Sequence, residues 1–94
     1  MTVELILYLA GQSAVSVRAR RNLESLVAGH AGADIRVEIK DVADDVDAAE
    51  RDHVVFTPTL IVRAGGIETR AIGDLADGSA LAGILTLGLT EKNG

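Results

Sequence analysis

The chain of 94 residues has no cysteine and no tryptophan, one proline, and only Tyr8 and Phe56 as aromatics. Each scarcity removes a class of function. Without a thiolate there is no disulfide exchange and no cysteine-built zinc site. Aromatic residues at 2% leave no platform on which bases could stack. Positive charge is also scarce, with 9 Lys and Arg against 14 Asp and Glu and a formal net charge of -5. The acidic residues concentrate at Asp41, Asp44, Asp45, Asp47, Glu50 and Asp52, broken only by Arg51, and a surface of that sign repels phosphate backbones. Arg18, Arg20 and Arg21 form a small counter-patch. The apolar run Leu5 to Leu9 stops at Ala10-Gly11, too short for a spanning helix or signal segment, and Met1-Thr2-Val3-Glu4 carries no positive charge ahead of it. A cytoplasmic location is therefore expected, and the absence of cysteine agrees with a reducing compartment. What is abundant is aliphatic: apolar residues make up 48% of the chain, nearly all Val, Ile, Leu and Ala. A chain this short forms one domain, expected over residues 1–94 with an ordered part at about 3–89 and a polar tail at 90–94.

Leu5-Ile6-Leu7-Tyr8-Leu9 reads as a central strand buried on both faces. Ser13 follows as a helix cap, and Val15, Ala19, Leu23, Leu26 and Val27 recur at helical steps up to Gly29. Ile35, Val37 and Ile39 alternate with Arg36, Glu38 and Lys40, as in an edge strand with one wet face. Asp44 or Asp45 is expected to cap a short acidic helix running to Asp52, with Val46, Ala49 and His53 on its inner face. Leu60 to Arg63, Ala64-Gly65-Gly66 and Ile67 to Ile72 read as a hairpin, because Gly-Gly supplies the positive φ of a primed turn. Asp77 then opens a last helix with Leu81, Ile84, Leu85 and either Leu87 or Leu89 as its stripe.

This βαβαββα order, with a right-handed crossover between the first two strands, is that of the thioredoxin fold: an α/β domain with a four-stranded mixed sheet and three helices. Thr57-Pro58-Thr59, leading directly into Leu60-Ile61-Val62, stands at the substrate-facing edge of such a fold, and Pro58 is expected to be cis. Yet the position of a redox dithiol holds Gln12-Ser13-Ala14-Val15. His30 and His53 have no partner at a spacing that builds a relay or a zinc site. The aspartates from Asp41 to Asp47 lack the turn glycine and closing glutamate of a calcium loop. No catalytic residue, cofactor site or metal site is therefore expected, and the protein is read as not an enzyme.

Leu7-Tyr8-Leu9-Ala10-Gly11, Ser16-Val17-Arg18-Ala19, Asp41-Val42, Ala49-Glu50, Thr57-Pro58-Thr59-Leu60 and Ile72-Gly73-Asp74-Leu75 stand together in the order of a known family. Over about residues 5–87 the chain resembles the KaiB family of circadian clock proteins. The resemblance implies a non-catalytic regulator that binds a KaiC-type ATPase ring and competes with a sensor kinase carrying a similar domain. It also implies fold switching between a tetrameric ground state, ordered βαββααβ, and a monomeric thioredoxin-like state that binds partners. The family's partner surface maps onto Asp41, Asp45, Glu50 and His53, of which Asp41 and Glu50 match the usual residues and His53 stands where lysine is common.

The chain departs from that pattern where a proline run usually follows the third strand, since it has Ala64-Gly65-Gly66 there, and a following Arg-rich stretch is reduced to Arg70. A long acidic tail is absent as well. Gly-Gly completes a hairpin that prolines would interrupt, so the thioredoxin-like state is expected to be favoured, as a monomer. Pro58, Gly65, Gly66, Gly73 and Asp74 are the residues expected to decide the packing of the C-terminal half. Two other readings remain beside the regulator: a glutathione-binding enzyme using Pro58 and Ser13, and the sensory domain of a histidine kinase.

Overall fold

Strand β1, Val3–Leu9, runs through the interior of a four-stranded sheet of order β2-β1-β3-β4. The computed structural model describes residues 2–30, 32 and 34–73, in which β1 is followed by α1 (Ala14–Ala28), β2 (Ile35–Asp41), α2 (Val46–Arg51), β3 (Thr59–Ala64) and β4 (Ile67–Ile72). The helix expected from Asp77, and Asp74 before it, lie outside the described residues. β2 pairs parallel to β1, with Val3 opposite Ile35 and Leu9 opposite Asp41. β3 pairs antiparallel on the other side, with Leu7 opposite Leu60, and β4 closes the hairpin.

From Leu5 to Leu9 β1 is apolar without a break, because each of its faces there covers a different core, and only Glu4 near its start is exposed. Val3, Leu5, Leu7 and Leu9 join Leu60 and Val62 of β3 and Ala19 and Leu23 of α1. Ile6 and Tyr8 face the other way, onto Ile61 and the alanines Ala48 and Ala49 of α2. Each fully buried leucine contributes about 1.5–3 kcal/mol, so most of the hydrophobic stabilisation lies on the α1 side. On α1 the inner face is Ser16, Ala19 and Leu23, with Leu26 and Val27 packed at its edge. On the β2 edge Ile35 and Ile39 pack against the core, while Val37 between them is 40% exposed.

Gly65 and Gly66 lie at φ 58° and 81°, the two positive values that a tight hairpin turn requires. With that turn fixed, Ala64 must face Ile67 and Arg63 must face Glu68, as they do.

The short helix differs from expectation in its phase. Val46 is 51% exposed and His53 is exposed at φ 55°, whereas Ala48 and Ala49 face the sheet. The reason is the Tyr8 ring beneath α2: only small side chains fit over it, and the next inward place is taken by Asp52, which the Tyr8 hydroxyl binds. Asp45 does sit at the N-cap, but its carboxylate makes no capping bond. The approach to α2 is instead closed by Asp41, whose carbonyl accepts from the Asp44 and Asp45 amides.

Candidate functional site

At the C-terminal end of β1, where a redox protein of this fold carries its thiols, the side chains of Ser13, Ser16 and Asp41 bond to the backbone. Ser13 Oγ accepts from the Ser16 amide at 3.3 Å, capping α1. Buried Ser16 accepts from the Ala10 amide and lies 3.4 Å from the Ala10 carbonyl. Gly11, at φ 66°, donates to Asp41 Oδ2 at 2.9 Å, and Asp41 Oδ1 takes the Ala43 amide at 2.8 Å. Asp41 thus ties the loop after β1 to the loop after β2. A cleft of about 490 Å³ opens beside this tie, lined by Gln12, Arg20, Lys40, Asp44 and Asp45 among others. These bonds hold the loops after β1 and β2 in place.

The Thr57-Pro58 bond is cis, as expected. The Gly73 amide, at φ 112°, donates to the Pro58 carbonyl at 2.9 Å, fastening the end of β4 to this turn, and Thr59 Oγ1 donates to the Phe56 carbonyl. Of the residues expected to decide the packing, Pro58, Gly65, Gly66 and Gly73 therefore all lie on the β3–β4 hairpin and its anchor. Just ahead of the turn, Val55 and Phe56 are 80% and 62% exposed.

The expected partner residues fall into two groups. Asp45, Glu50 and His53 are exposed on α2 and its flanks, so a protein partner could reach all three. Asp41 is half-buried, and its carboxylate is occupied by backbone amides. Its carbonyl accepts from the Asp44 and Asp45 amides and so fixes the approach to α2.

Behind α2 runs a polar network that sequence reasoning did not assemble. Tyr8, fully buried, donates from its hydroxyl to Asp52 Oδ2 at 2.5 Å. Arg63 donates to Asp52 Oδ1 and to Glu68 Oε1, each at 2.9 Å. Arg70 reaches Glu68 Oε2 at 3.3 Å and donates to the backbone carbonyls of Asp52 and His53. Burial, and then the hydrogen bond to Asp52, push the Tyr8 hydroxyl up to about 12. Burial alone would raise Asp52, but the hydrogen bonds from Tyr8 and Arg63 outweigh it and hold that carboxyl below its usual range. The Arg63 guanidinium likewise holds Glu68 below the usual range, and the two carboxylates hold Arg63 above its own. Two signals could have exposed the network. A buried tyrosine in the otherwise aliphatic run Leu5 to Leu9 needs a partner for its hydroxyl, and the Gly-Gly turn dictates the Arg63–Glu68 pair.

Among the described residues no helix is long and apolar enough to cross a membrane. Residues 6–86 match the family model described as the KaiB domain. The chain is 33% identical over 75 residues to the circadian clock protein KaiB3 of Synechocystis sp., covering 80% of this chain and 74% of that one. It is 34% identical over 76 residues to the circadian clock oscillator protein KaiB of Acaryochloris marina, covering 81% and 73%. Among solved structures, Fasciola hepatica thioredoxin superposes with a TM-score of 0.76 at 18% identity, covering 93% of this chain and 81% of that one, a likeness of fold.

Proposed function

The chain belongs to the KaiB family, and from that premise we propose that it is a non-catalytic regulatory module that binds a KaiC-type ATPase, or a related signalling kinase, in the cytoplasm. Its output is circadian or stress-related control. The observation that carries this reading is the contrast between the two ends of the site: Ser13 is spent as a helix cap, while Asp45, Glu50 and His53 stand exposed together around α2. A glutathione-dependent reaction would need an activated group at Ser13, and its oxygen already serves the Ser16 amide.

The thioredoxin-like packing is the resting and binding-competent form of this chain, as a monomer. The Gly65-Gly66 turn and the bond from Gly73 to Pro58 support that reading, since both belong to the hairpin and would be lost if β4 became a helix. Pull-down with a purified KaiC-type ring tests the proposal. Wild-type chain should be retained, and Glu50→Arg should weaken retention about tenfold or more, as charge reversal at a docking surface does. Absence of binding to any KaiC-type ring, or equal binding by a folded Glu50→Arg variant, removes it.

A further inference from the structure

We infer that Arg63, Glu68 and Arg70 act as a latch on the hairpin that positions the C-terminal end of α2, so that the hairpin and the exposed surface of α2 open and close as one unit. α2 is only 6 residues long, and a helix that short does not hold itself together in water. Its apolar anchorage is slight: Ala48 and Ala49 are buried, but each contributes a single methyl group, and Val46 is 51% exposed. What fixes the end of the helix is polar. Carbonyls at a helix C-terminus lack intrahelical donors and carry partial negative charge. The Arg70 guanidinium supplies donors to two of them just past the helix, those of Asp52 and His53. Arg63 takes the Asp52 carboxylate from the neighbouring strand at 2.9 Å. Glu68 lies between the two arginines, bonded to both, and keeps their guanidinium groups aimed at α2.

The arrangement follows from the hairpin register. Arg63 and Glu68 are direct cross-strand partners, and Arg70 is two residues along β4 from Glu68, on the same face. The three side chains can converge on α2 only while that register holds. His53, at φ 55°, is oriented by the same contact, because Arg70 bonds its carbonyl. A partner that reads Glu50 and His53, in the sense proposed above, therefore also reads the state of the hairpin, and its binding must in turn protect the hairpin.

Amide hydrogen exchange on the free chain tests the latch without any partner. The amides of Asp52, His53 and Val54 bond back to Ala48, Glu50 and Ala49, and report on the end of α2. Arg70→Gln should accelerate their exchange about tenfold, while amides of β1 and α1 keep wild-type rates. Glu68→Gln, at an exposed residue whose loss does not threaten folding, should accelerate the same amides to a smaller extent, and Arg70→Lys should restore part of the protection. Glu38→Gln, which breaks the exposed pair with Lys40 on β2, should change nothing at α2. Unchanged exchange at these amides in both Arg70→Gln and Glu68→Gln overturns the latch. So does an equal acceleration of β1, α1 and α2, which would make these residues general stabilisers. Selective acceleration in a chain that binds no KaiC-type ring would keep the latch and remove the partner reading.

Discussion

The two sides of the sheet are held by different physics. On the α1 side, β1 and β3 bury Leu5, Leu7, Leu60 and Val62 against Ala19 and Leu23 of a helix 15 residues long. On the α2 side, Ile6, Tyr8 and Ile61 meet two alanines with Val42 and Val54 at the edge, and Asp52, Arg63, Glu68 and Arg70 add a polar hold. Apolar burial is non-directional and involves no titrating group, whereas charged hydrogen bonds are directional and sensitive to pH and to ionic screening. The α1 side accordingly makes the domain, and the α2 side makes a surface whose geometry can be tuned.

The strongest way to break this comparison is to cut into the α1 side. Leu7→Ala should cost about 2–5 kcal/mol in denaturant unfolding, with the whole domain melting as one unit. A loss confined to α1, with β3 and β4 intact, would contradict it. Next in size is the turn on which the latch register depends. Gly66→Val places a β-branched residue at φ 81°, where a Cβ meets no other atom, so the cost is conformational and should be about 1–3 kcal/mol.

Tyr8→Phe sharpens the comparison on the α2 side. It removes one donor from Asp52 and should cost roughly 1.5 kcal/mol near neutral pH. It should also reshape the pH profile. Tyr8 has a folded value of about 12 against 10.0 unfolded, so the folded state keeps its proton longer. Its contribution is complete below pH 10 and is lost as pH rises through 12. Asp52 is displaced the other way, so its contribution is complete above its ordinary value of 3.8 and is lost as pH falls through the lowered one. Unfolding followed by circular dichroism from pH 2 to 12 should show both limbs in the wild type, and the variant should lack the Tyr8 part of the alkaline limb. Smallest is Ser13→Ala, which should cost about 1 kcal/mol through the α1 cap and leave hydrogen exchange at α2 unchanged.

How much of this was legible in the sequence follows the same division. The α1 side announces itself, because leucines and valines recur at periods that only a buried strand or an amphipathic helix explains. The hairpin is equally plain, since Gly65-Gly66 fixes both turn and register. The phase of α2 was misread because Val46 is a stronger apolar signal than Ala48. The inward place went instead to Asp52, a charged residue whose burial is tolerable only because Tyr8 and Arg63 bind it. Tyr8 lies 44 residues away in sequence, and no local pattern encodes such a pairing. For the same reason Asp41 looked like one more member of an acidic face, although its carboxylate is spent on the Gly11 and Ala43 amides. Local periodicity reveals apolar layers, and polar contacts between distant elements become visible only once those layers are assembled.

The most direct test of the account is backbone NMR assignment of the free chain over residues 57–73, read together with its sedimentation. Strand shifts across Thr59–Ala64 and Ile67–Ile72, a cross-strand contact between Arg63 and Glu68, and a single-chain mass are the predicted result. Helical shifts from Ile67 to Ile72 in a tetramer would contradict it.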